Sequence, residues 1–304
     1  MLSKRARILT ISAATILFAP LAQAQTIVLK KAFVEKYKNR ATIDANFTVD
    51  HAHDHPNAPS ADGDLHASGR ATEVGLPMVS EVMNAAQSTQ TPVVTDLQNL
   101  QGHNQATPIT GVWRIWFEHP SQAPQIQFDP VPPAGNTNPD HCFEIHPIVK
   151  FNGKDVSGSL QNVVGFTPHD AATAFGSYEK MTATVTSTST AITISSKKAA
   201  YNYVEFFAEL LGNSQSLDDG GAVNLSNIMA DSGGDVIVDN VRLIFVPGTP
   251  PAQLLKSANH PTELHVIGIP RLNLNAISAF VTANGTNTAK RKLPYEIVVV
   301  AILK

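Results

Sequence analysis

Two short patterns recur in the same order in the two halves of this 304-residue chain. GVWRIWF (Gly111–Phe117) is followed about thirty residues later by FEIHPI (Phe143–Ile148), and GIPRLNL (Gly268–Leu274) is followed at a similar distance by YEIVVV (Tyr295–Val300). The shared signature is glycine, aliphatic, any residue, arginine, aliphatic, then an aromatic-Glu-Ile strand. A unit used twice must bury the same pattern in the same kind of architecture, so the two halves are expected to be variants of one domain. The expected division is a first domain over 25–155 and a second, divergent repeat over 156–304.

The period of the hydrophobic residues indicates what that unit is. Ile43, Ala45, Phe47 and Val49 alternate with polar residues, as in a half-buried strand. Residues 50–62 have the Asp/His/Pro/Asn composition of a loop, and alternation resumes from Asp64 to Arg70. From Leu76 the spacing of Val79, Val82, Met83 and Ala86 predicts a helix. Thr91-Pro92 opens a second helix that Gly102 ends. A strand over Thr110–Glu118, a proline-rich excursion from Pro120 to Pro139 and a strand over Cys142–Val149 follow, and Val28–Lys38 is expected to be a short leading helix. This order matches a five-stranded OB-type (oligonucleotide/oligosaccharide-binding) barrel with one or two helices between strands 3 and 4, provided one curved segment supplies the first two strands. In the second half, strands are expected from Met181 and over Tyr203–Leu211, Val236–Val246, Leu264–Leu274 and Glu296–Leu303. The fold class is therefore mainly β, α+β in the first half, with two barrel-like domains.

Residues 1–24 have the pattern of a secretory signal: Lys4, Arg5 and Arg7, an apolar run from Ile8 to Leu21, and a small-x-small site at Ala22-Gln23-Ala24. A secreted or periplasmic protein cut after Ala24 is expected. No other stretch approaches the roughly 18 apolar residues of a membrane span. A formal net charge of −3 argues against nucleic acid as the main partner. The single cysteine, Cys142, rules out an internal disulfide and is expected to be a buried thiol.

The repeat also separates framework from site. Arg114 and Glu144 match Arg271 and Glu296, which predicts a cross-strand ion pair on the surface of each barrel. His146 is different: its counterpart is Val298. Glu144-x-His146 and Asp64-x-His66 each place an acid and an imidazole on one strand face. That chemistry suits a divalent metal, with Asp64, His66 and His146 as ligands, or a general acid/base pair. Arg114, Trp116, Glu118, His119 and Glu144 would form a ligand face beside it, an exposed Trp116 stacking on a small molecule or saccharide. His51, His53 and His55 alternate in the loop, either as a metal-collecting face or as a solvated segment. No H-E-x-x-H, P-loop, G-x-G-x-x-G or G-x-S-x-G pattern occurs.

DGDLH (Asp62–His66) and FEIHPI (Phe143–Ile148) resemble the paired elements of a loose group of secreted bacterial proteins, Asp-Gly-Asp-x-His early and Glu-(Leu/Ile)-His-Pro-(Val/Ile) late, in a small barrel-like domain. The resemblance spans roughly residues 40–150. It implies export and the pairing of the two motifs, and it implies no reaction. Three functional classes follow: a binding or interaction protein with a ligand or metal site on the first domain, a metal-dependent hydrolase with Glu144 or Glu118 as base, and an envelope structural protein without an active site.

Overall fold

The computed structural model describes residues 24–303 except 120, 122, 128–129, 163–164 and 257–259. Of the expected signal segment only Ala24 is described, and Pro120, the first residue of the proline-rich excursion, lies outside the described residues. The chain begins with β1 (Gln25–Lys30) and α1 (Lys31–Tyr37), so the leading helix is preceded by a strand. β2 (Thr42–Ala52), β3 (Leu65–Ala71), β4 (Met78–Val82), α2 (Thr91–Leu100), β5 (Ala106–Ile115), the short β6 (Gln125–Ile126) and β7 (Phe143–Phe151) complete the first half. The two-residue strands β8 (Lys154–Asp155) and β9 (His169–Asp170) lead to α3 (Ala171–Tyr178) and the hairpin of β10 (Thr182–Ser187) and β11 (Ala191–Ser196). β12 (Val204–Ser216), β13 (Ala222–Met229), β14 (Val236–Phe245), α4 (Pro250–Leu255), β15 (Glu263–Leu272), α5 (Leu274–Asn284), β16 (Ala289–Lys292) and β17 (Tyr295–Ile302) follow.

Two closed five-stranded barrels result. In the first, β2 pairs with β3, β3 with β4, β4 with β7, β7 with β5, and β5 returns to β2; only β4–β7 is parallel. In the second, β12, β13, β14, β17 and β15 close in the same cyclic order, and only β14–β17 is parallel. A helix separates the third and fourth strands in both, α2 in the first and α4 in the second. A third sheet, in the order β16-β10-β11-β1-β6, takes strands from either side of residue 155. The expected domain boundary therefore separates the barrels but cuts through this shared sheet.

The helix expected from Leu76 is instead strand β4. All five of its residues are buried, because it fills the slot between β3 and β7 and is covered on both faces. A strand buried on both faces loses its period of two, and helix-like spacing then arises by accident. With β4 as third strand, no curved segment has to serve twice. β13 has no counterpart among the expected strands, and the Thr/Ser-rich stretch from Met181 is the β10–β11 hairpin of the shared sheet rather than the start of the second barrel.

The repeated glycine marks a close approach. A Cβ on Gly111 would lie 2.3 Å from Ile145 Cγ2 and 2.8 Å from the Pro147 carbonyl oxygen. On Gly268 it would lie 2.3 Å from Ile297 Cγ2. Register shifts occur at both positions, with the extra residue in the fifth strand, so each glycine lets the fourth strand press on a bulged fifth. Among the described residues, no helix is long and apolar enough to cross a membrane.

Candidate functional site

The two arginines are register partners of their glutamates, Arg114 with Glu144 and Arg271 with Glu296. The expected surface location is wrong, since all four side chains are almost fully buried. The reason is that the barrels pack with β5 against β15. Arg114 Nε donates to the Pro270 carbonyl at 3.0 Å, and Arg271 donates to the carbonyls of Trp113 at 3.0 Å, Ala41 at 2.9 Å and Arg40 at 3.0 Å. Each arginine thus bonds the residue just before its counterpart in the other barrel. Arg271 also lies 3.5 Å over the Trp113 ring. Arg114 binds Glu144 and, at 2.6 Å, Glu118. Burial alone would raise the Glu144 carboxyl, but Arg114, His141 and His146 together hold it well below the usual range.

Beside this joint lies a buried acid–imidazole cluster. His146 alternates with Ile145 and Phe143, whose side chains join the main core, so its ring points to the opposite face of β7. Its Nε2 is 2.8 Å from the Tyr203 hydroxyl and 3.3 Å from Asp64 Oδ2. Its Nδ1 is 3.4 Å from Glu81 Oε2 and 3.4 Å from Glu144 Oε2. Tyr203 donates to Asp64 at 2.5 Å. Burial opposes a charge on His146, yet the carboxylates of Glu81, Asp64 and Glu144 raise its pKa well above the ordinary imidazole value. Glu81 is pushed up to about 8, by burial first and then by Glu144 and Asp64. Burial likewise raises Asp64.

Of the three expected metal ligands, Asp64 and His146 come together. His66 Nε2 lies 3.4 Å from Glu81 Oε2, the oxygen that His146 Nδ1 also approaches, with burial lowering its pKa. The ligating atoms of Asp64, Glu81 and His146 lie within 4.8 Å of one another. Asp64 Oδ1 and His146 Nδ1 are buried without a hydrogen-bond partner. Glu81 and Tyr203 escaped the sequence reading, Glu81 because its strand looked helical and Tyr203 because it arrives from the second half. Of the loop histidines, His53 stacks on His66 with centroids 4.9 Å apart, His51 is half-buried in β2, and His55 is exposed.

The second barrel provides an internal control. Ser80 pairs with Ile145 across the parallel strands of the first barrel, and Leu243 pairs with Ile297 in the second. Counting from there, Glu81 matches Ile244 and His146 matches Val298. His66 opposes Glu81 as Val223 opposes Ile244, which places Gly221 at the position of Asp64. Val223, Ile244 and Val298 all belong to one buried apolar cluster. The polar cluster is thus an addition to the first barrel and not a demand of the architecture.

The expected ligand face is not a face. Trp116 is only 2% exposed and meets Tyr178 of α3 edge-on at 5.6 Å, because the chain after β5 turns inward and Trp116 N–H bonds the Cys142 carbonyl at 3.0 Å. Arg114 and Glu144 are buried in the joint; only Glu118 and His119 reach the rim. Cys142 is the buried thiol expected, with burial pushing its pKa up to about 12. Two clefts of about 380 and 390 Å³ border the proline-rich segment near Val131, and neither is lined by an expected ligand residue. No protein-family model matches the chain, and no curated protein matches it.

Proposed function

We propose that the protein is an exported binding protein whose first barrel holds a divalent metal ion between Asp64, Glu81 and His146. The observation that carries this reading is the contrast between two copies of one architecture. Where the second barrel places Gly221, Ile244 and Val298, the first buries two carboxyl groups and an imidazole. Burying an ion costs on the order of several kcal/mol, and apolar replacement of buried ionic groups is often stabilising. A bound cation offsets that cost and gives Asp64 Oδ1 and His146 Nδ1 the partner they lack. One imidazole with carboxylate oxygens suits zinc or another first-row dication. Tyr203 and Glu144 are further oxygen donors next to His146.

Export is supported by the charged, apolar and small-residue order of residues 4–24. The strand order, with third and fifth strands parallel and a helix between third and fourth, supports an OB-type assignment for both barrels. That fold is used for saccharides as well as nucleic acids, and the net charge of −3 favours the former. A hydrolytic reading draws less support, because Arg114 binds both Glu118 and Glu144, the two carboxylates that would serve as base.

The test is elemental analysis of the full chain, reconstituted with Zn²⁺, Mn²⁺ or Co²⁺ and then dialysed against EDTA. Ligands this buried release metal slowly, so one retained equivalent is expected. The variant Asp64→Gly/Glu81→Ile/His146→Val, which copies the second barrel, should fold with an equal or higher Tm in the metal-free state and retain none. A wild-type protein that keeps no metal above trace with any of the three ions would sink the reading.

A further inference from the structure

At the other carboxylate oxygen of Glu144 lies a second constellation, made with His119 and His141, which the cluster above does not use. His141 Nδ1 donates to the Pro139 carbonyl at 2.6 Å. Such a bond fixes the ring and directs Nε2 as the ligating nitrogen. That Nε2 is 3.2 Å from Glu144 Oε1. His119 Nε2 is 3.8 Å from the same oxygen. The His119 and His141 rings stack at 4.4 Å with planes 14° apart, so both nitrogens converge on one carboxylate oxygen. Glu144 Oε2 is meanwhile held by Arg114, which orients the carboxylate from behind. Three donor atoms from three side chains lie within 4.8 Å of one another.

We propose that His119, His141 and Glu144 form a second, solvent-accessible site for a transition-metal dication of the zinc type, with an open coordination position beside His119. Two imidazoles and one carboxylate are a donor set for zinc and its neighbours, whereas calcium and magnesium need more oxygen ligands. Access distinguishes this site from the first. The His119 side chain is 31% exposed, whereas Asp64, Glu81 and His146 are sealed. The second barrel again supplies a contrast, since Leu293 stands three residues before Glu296 where His141 stands three residues before Glu144. The open position gives an incoming oxygen or nitrogen ligand a place to bind at the rim of the first barrel.

This site does not rest on the buried one, and the experiment separates them. Wild-type protein, the Asp64→Gly/Glu81→Ile/His146→Val variant and a His119→Ala variant are treated with EDTA, desalted and titrated with ZnCl₂ by calorimetry. One rapidly exchanging equivalent is expected in the wild type and in the triple variant. His119→Ala should weaken it by more than about tenfold, with an unchanged metal-free Tm, since His119 sits at the rim. His141→Leu, the second-barrel residue, should remove the equivalent as well. The proposal is overturned if His119→Ala binds rapidly exchanging zinc as the wild type does, or if the wild type binds none. Loss of that zinc in the triple variant but not in His119→Ala would also overturn it, and would leave the buried site standing.

Discussion

Replacing Arg271 by methionine tests whether the repeated Arg–Glu pair is a buried joint or surface decoration. Arg271 donates to Glu296 at 2.8 Å and to the carbonyls of Arg40, Ala41 and Trp113 at 2.9–3.0 Å, with its guanidinium over the Trp113 ring. Removing one partner of a buried pair costs about 3–5 kcal/mol. Arg242, 3.0 Å from Glu296, still neutralises the carboxylate and pulls the cost toward the low end. The three orphaned carbonyls add on the order of 1 kcal/mol each. A loss of about 4–6 kcal/mol is therefore expected. At roughly 2–4 °C per kcal/mol for a chain of this size, the Tm should fall by about 10 °C or more. Urea unfolding with linear extrapolation, alongside calorimetry, measures both quantities. Arg242→Met, which removes a single bond from a partly exposed side chain, should cost less than half as much. An Arg271→Met loss below about 1 kcal/mol, the range of surface pairs, would refute the buried-joint reading.

Three further outcomes follow from the same geometry. Gly111→Ala should destabilise by about 1–3 kcal/mol, and by more than Gly268→Ala, since the new Cβ meets the Pro147 carbonyl at 2.8 Å where Gly268 meets the Val298 carbonyl only at 3.2 Å; equal unfolding midpoints would contradict it. In chelator-treated protein, Glu81 carries its proton in the folded state up to about pH 8, whereas the unfolded chain releases it near 4.5. Its contribution is fully present below the unfolded value and is lost as pH rises through the folded one, so Tm should decline between about pH 5 and 8 and Glu81→Gln should flatten that decline; an equally steep decline in the variant would count against it. Cys142, 2% exposed with its thiol pushed up to about 12, should resist thiol reagents until the chain unfolds, and stoichiometric labelling of folded protein would show the burial to be wrong.

Local period and the comparison of the two repeated motifs were enough for the strands of half-buried sheet, the pairing of Arg114 with Glu144 and Arg271 with Glu296, the buried thiol, and the choice of Asp64 and His146 as candidates, although β4 stands between β3 and β7 and Asp64 precedes β3. These rest on local period and on comparison of two copies, both of which are written in one dimension. Period states that two faces of a strand differ but not what covers the second face. Packing of β5 on β15 decided that for the ion pairs, which became a sealed joint, and the inward turn after β5 against α3 buried Trp116. Strand β4 is buried on both faces and so carried no period, which hid Glu81 inside a helix-like pattern. Tyr203 meets Asp64 across 139 residues of chain, a contact with no local signature. Which acids face His146 was therefore settled by closure of the barrel and docking of the second half, whose packing energy is collective and leaves no mark on any single stretch of sequence.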